Sequence, residues 1–110
     1  IRIGNPQSWE LAQKAQEASG GWFLAREDEA ILRTQKFLAR SEGVFCEPAS
    51  AVSVAGLITA LEDGRIDDGA TIVCTLTGQG LKDPDTAISQ SPEPVRVAPT
   101  LSAVRDAILS

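Results

Sequence analysis

Thr71-Ile-Val-Cys-Thr-Leu-Thr77-Gly-Gln-Gly80-Leu-Lys-Asp-Pro84 is the stretch from which the fold is read. Its β-branched, apolar beginning predicts a buried strand over residues 71–76. Being apolar on both faces, that strand is expected to have neighbours on each side. The run stops at Thr77, with Gly78 and Gly80 close behind. In open α/β folds ligands bind beyond the carboxyl ends of strands, where glycines let backbone approach closely. Thr77 is thereby placed to meet a small molecule. A plain glycine-rich turn after a buried strand is the alternative that the local pattern leaves open.

Working back from this stretch, Asp67-Asp-Gly69 reads as a turn and Asp63-Gly64 as a helix stop. Glu47-Pro48 opens that helix, which carries Ala49, Val52, Val54, Ala55, Leu57, Ile58 and Leu61 and is expected to be buried. Val44-Phe-Cys46 has room only for a brief extended segment. Glu27-Asp-Glu29 puts negative charge at the start of an earlier helix, and Ser41-Glu42-Gly43 closes it. Ile31, Leu32, Phe37 and Leu38 form its inner face, with Gln35 a further candidate. Trp22-Phe-Leu-Ala25 is a short run of strand type. A first helix starts after Asn5-Pro6, with Ser8 as a second candidate cap, and ends at Ser19-Gly-Gly21.

Downstream, residues 89–99 turn to Ser, Pro and Glu and read as a surface tail. Val95-Arg-Val97 is a candidate edge strand there. Thr100 caps a last helix through Leu101, Val104 and Ile108. Helices alternating with short strands give an α/β class, mostly helices around one clear strand. One strand makes no sheet, so its neighbours are expected outside these 110 residues. The pattern therefore predicts a fragment, and the missing initial Met reads as a cut.

Composition narrows the function classes. Hydrophobic residues make up 43% of the chain, enough for a core and against wholesale disorder. A net charge of −5 without acidic runs argues for a soluble protein and against nucleic acid as a partner, since phosphate binding wants a basic face. No apolar run approaches the about 20 residues that span a bilayer, so no membrane association is expected. Cys46 and Cys74 lack CxxC spacing and sit among apolar residues, which fits reduced thiols in a cytoplasmic protein. With no His, the chain holds no Ser-His-Asp triad and no imidazole base or metal ligand. Lys82 follows the glycines, but Walker spacing is missing; Lys82-Asp83 reads as a surface ion pair or a loop cap.

Glu42-Gly-Val-Phe-Cys-Glu-Pro-Ala-Ser-Ala51 and Leu76-Thr-Gly-Gln-Gly-Leu-Lys-Asp-Pro84 resemble the two C-terminal signatures of the threonine synthase family. Those enzymes use pyridoxal phosphate and are of the tryptophan-synthase-β type (fold type II). Ile1-Arg-Ile-Gly-Asn-Pro-Gln-Ser-Trp9 and Asp28-Glu-Ala-Ile-Leu32 resemble the same family's sequence, in the same order. The resemblance runs from the first residue to about residue 88 and implies the C-terminal segment of the large, cofactor-binding domain. Residues 89–110 are then a Pro/Ser-rich tail with a short terminal helix.

By this resemblance Thr77 matches the hydroxyl residue that hydrogen-bonds the pyridine nitrogen. A neutral hydroxyl there leaves the ring largely unprotonated, a weaker electron sink than a carboxylate would maintain. Gly78 and Gly80 are expected to let backbone pass the ring without a Cβ clash. Gln79 departs from the family, where Asn or His is commoner, so a contact by residue 79 is in doubt. Glu42, Glu47 and Ser50 are candidates to face the ring or position a water at a helix N-terminus, the alternative being that Glu47 and Ser50 cap the helix and Glu42 is solvated. The Schiff-base lysine and the loop for the cofactor phosphate are expected upstream, and the grip on the substrate phosphate is expected to be absent from this chain.

The implied activity converts O-phosphohomoserine and water to L-threonine and phosphate, the last step of threonine biosynthesis. The implied assembly is a homodimer, with the rest of the parent chain completing each site. The fragment alone is expected to be inactive. Another lyase of the same fold type, such as threonine dehydratase, and a non-enzymatic interaction module are the alternatives.

Overall fold

Two helices form the structural centre, and their sequences dictate why they pair. The computed structural model describes residues 3–109; Ile1 and Arg2, the start of the resemblance, lie outside them. The helices, in chain order, are α1 (Trp9–Ser19), α2 (Asp28–Ser41), α3 (Pro48–Glu62), α4 (Pro84–Ser89) and α5 (Leu101–Leu109). Asp28 and Glu29 occupy the first turn of α2 and Arg40 its last, each complementing the helix dipole. Ala30, Ile31, Thr34, Gln35 and Leu38 turn inward at helical spacing. They meet α3, which presents Ser50, Ala51, Ala55 and Ala60. Small residues on α3 let the two backbones approach closely. Ile31, Leu38, Cys46 and Ala51 make the core, with Val52, Val54 and Leu76 packed against it.

Several boundaries follow the local chemistry. Gly20 ends α1 in the left-handed region at φ 67°, which a side chain would resist. Pro48 begins α3 and Pro84 begins α4, each where its missing N–H is not needed. Asp83 caps α4 by accepting the Thr86 N–H at 3.2 Å. Thr100 caps α5 through Ala103 N–H at 3.3 Å. Helix α4 and the 3-10 turn Gly80–Lys82 were not foreseen, although Asp83-Pro84 is a helix-start pair.

The expected strand does not form. Among the described residues the backbone pairing outside helices reduces to one antiparallel bridge, Cys46 with Gln79. Residues 71–76 have no strand partner, and Val73 is 87% exposed. A strand exists only through its neighbours' hydrogen bonds, and the described residues do not provide them. Residues 22–25 and 95–97 likewise join no ladder. Two further expectations change: Phe37 of α2 is 50% exposed, and Ile58 and Leu61 of α3 are 39% and 49% exposed. Helix α3 is therefore apolar all round but incompletely covered, with Ala49, Ile58 and Leu61 left exposed.

The shape matches that deficit. The accessible surface is 8849 Å², against about 5,800 Å² for a compact chain of this mass. The radius of gyration is 18.7 Å, against about 13 Å for a compact domain of this length.

Candidate functional site

The bridge between Cys46 and Gln79 brings the two signature segments together. Glu47 N–H donates to Gly78 C=O at 3.0 Å, and Gly80 N–H donates to Phe45 C=O at 3.0 Å. Gln35 of α2 clamps the first segment by donating its Nε2 to Cys46 C=O at 2.7 Å. Gln35 is 4% exposed and Cys46 2%, so that bond is made out of water. Burial also pushes the Cys46 thiol above its ordinary value, keeping it neutral and unreactive.

On this frame the first turn of α3 meets the end of the 71–76 segment. Ser50, 2% exposed, lies in that turn. Its Oγ accepts the Gly78 N–H at 2.7 Å and lies 3.1 Å from Thr77 Oγ1. Ser53, one turn along, donates to Ser50 C=O at 3.0 Å and reaches Thr75 C=O at 3.4 Å. Two hydroxyls at i and i+3 of α3 thus hold the backbone on either side of Thr77. Thr77 itself is exposed. A hydroxyl held by a buried neighbour on an exposed residue is suited to hydrogen-bond a ligand edge.

Five of the six sequence-derived site residues, Glu47, Ser50, Thr77, Gly78 and Gly80, gather here. Glu42 is exposed and ends α2, its N–H donating to Leu38 C=O at 3.1 Å. Glu47 occupies the N-cap position of α3 without a side-chain cap bond, and Ser50 spends its hydroxyl on the loop instead of the helix. The hollow beside this N-terminus is lined by Asp28, Glu47, Asp83 and Asp85, so its charge repels the anion that a bare helix N-terminus would attract.

The two glycines also have reasons within the chain. A Cβ at Gly78 would collide with the end of the Glu47 carboxylate and lie 3.0 Å from Lys82 Cδ. A Cβ at Gly80 would overlap the Phe45 ring. Close packing of the bridge therefore requires small residues at both positions. Gln79 is exposed between them. Sequence reasoning missed Gln35 as a clamp, Phe45 as the cover of Gly80, and Ser53. The i, i+3 pair Ser50/Ser53 on an otherwise apolar helix was the available signal.

Comparison with known proteins gives a consistent set. The family described as pyridoxal-phosphate dependent enzyme matches residues 1–78. A protein of Mycobacterium bovis described as threonine synthase is 56% identical over 101 residues, 90% of this chain and 28% of that protein. One of Methanocaldococcus jannaschii with the same description is 55% identical over 97 residues, 88% of this chain and 24% of that protein. A third, from Synechocystis, is 48% identical over 110 residues, 98% of this chain and 28% of that protein. The chain thus spans about a quarter of the length of these curated relatives.

Proposed function

The chain belongs to the pyridoxal-phosphate dependent enzymes, and on that premise we propose that it is the C-terminal part of the large domain of a threonine synthase. The complete enzyme converts O-phosphohomoserine and water to L-threonine and phosphate in the cytoplasm and works as a homodimer. Within this chain, residues 1–88 belong to the cofactor domain and residues 89–110 form a tail ending in α5.

The single observation that carries the reading is the Ser50–Thr77 pair on the exposed edge of the bridged signatures. An exposed hydroxyl with buried support fits the nitrogen edge of a pyridine ring, so Thr77 is the residue that would hold the cofactor there. The phosphate and covalent attachment points are supplied elsewhere. When bound, pyridoxal phosphate supplies the electron sink that makes substrate C–H bonds acidic. Thr77 would hold the ring nitrogen as a hydrogen-bond donor suited to its neutral form, Gly78 and Gly80 hold the backbone close to the α3 N-terminus, and Glu47 flanks the loop.

The large accessible surface supports a partner that is the rest of the same polypeptide. Trp22, Leu24, Leu57, Ile72 and Val73 line an open apolar hollow beside α3, as expected of a domain interior lacking its other half. On this reading the isolated chain is inactive. The test is to supply the complete protein containing this chain with O-phosphohomoserine and follow threonine and phosphate release with and without pyridoxal phosphate. Equimolar, cofactor-dependent release of both is expected. Dehydration of threonine to a 2-oxo acid, with no use of the phosphorylated substrate, would point instead to another lyase of the family.

A further inference from the structure

We infer that Ser50 is a positioning residue for Thr77: its buried hydroxyl donates to Thr77 Oγ1, leaving the Thr77 proton for an acceptor on the bound ligand. This rests on the reading that Thr77 meets the cofactor ring, and it specifies what the ring must offer, an unprotonated nitrogen.

The direction follows from counting protons and lone pairs. Ser50 Oγ already accepts the Gly78 N–H at 2.7 Å. It keeps one proton to donate. Among the described residues, the hydroxyl within reach of that proton is Thr77 Oγ1, at 3.1 Å. Ser50 is 2% exposed, so a proton directed elsewhere would be stranded away from water. Thr77 is exposed and its proton suffers no such penalty. The opposite direction would satisfy Thr77 at the expense of Ser50. The support is rigid as well: Ser50 N–H bonds Glu47 C=O at 3.0 Å, and its C=O accepts from Ser53 at 3.0 Å. Thr77 therefore presents a donor, which a neutral pyridine nitrogen accepts and a protonated one does not.

A double-mutant cycle in the complete enzyme tests this, using Ser50→Ala, Thr77→Val and the pair. The readouts are the dissociation constant for pyridoxal phosphate by equilibrium dialysis and the absorption maximum of the bound cofactor. Ser50→Ala is expected to weaken binding roughly 10-fold when Thr77 is present and less than about 2-fold in the Thr77→Val background. Equal losses in both backgrounds would mean that Ser50 merely holds the Gly78 loop, and the inference is overturned while the Thr77 contact stands. No loss with Thr77 present overturns it too. An unchanged constant and spectrum in Thr77→Val alone would remove the ring contact itself, and with it the inference. Should Ser50→Ala not fold, Ser50→Cys, similar in size but a weaker hydrogen-bonding group, takes its place in the same cycle.

Discussion

The hydroxyls of Ser50 and Thr77 lie 3.1 Å apart across 27 residues of sequence, so the site depends on single side chains held in register. Replacing Thr77 with Val keeps the shape and removes the hydrogen bond. In the complete enzyme this is expected to weaken pyridoxal phosphate roughly 10-fold and shift its absorption maximum, while covalent attachment persists because the lysine lies elsewhere. The glycines are expected to differ from one another. At Gly78 a Cβ meets the mobile end of Glu47, whereas at Gly80 it meets the rigid Phe45 ring. Gly80→Ala should therefore cost about 1–3 kcal/mol in urea unfolding and Gly78→Ala less. Equal costs would mean that Phe45 swings aside freely.

At the scale of elements, the bridge is held by α2 from one side and α3 from the other. Gln35 is the side-chain link from α2, and its removal orphans the buried Cys46 carbonyl. Gln35→Leu, which keeps the bulk, is expected to destabilise by about 1–3 kcal/mol, measured by thermal unfolding of the complete enzyme. Helix α4 is short and depends on its cap: Asp83→Ala removes the bond to Thr86 N–H and should cost about 1 kcal/mol. Helix starts and stops were legible because they are local chemistry: Pro48 at an N-terminus, Gly20 and Gly64 at positive φ. The strand over residues 71–76 was not, since alternation and β-branching state a preference that only a neighbouring strand can realise.

The whole molecule leaves much of its apolar surface exposed. An accessible surface about half as large again as expected for its mass leaves Val73, Leu81 and Leu101 more than two-thirds exposed. Expressed alone, the 110-residue chain is expected to bind a hydrophobic dye strongly and to unfold without a sharp transition. The complete enzyme should do neither. A cooperative two-state transition in the isolated chain would count against the fragment reading and favour a self-sufficient module.

What the sequence by itself determined was the family, through signatures whose wording is local, and the positions of α1, α2 and α3, through caps, glycines and helical spacing. It also placed Thr77, Gly78 and Gly80 in one loop. Tertiary structure decided which distant residues meet them. Ser50 meets Thr77 and Gly78 because α3 turns its first turn toward the loop, and because the Cys46–Gln79 bridge fixes the register between the segments. Hydrogen-bond partners 27 or 28 residues apart leave no periodic trace in a sequence. Their pairing is set by packing, which depends on the whole chain at once.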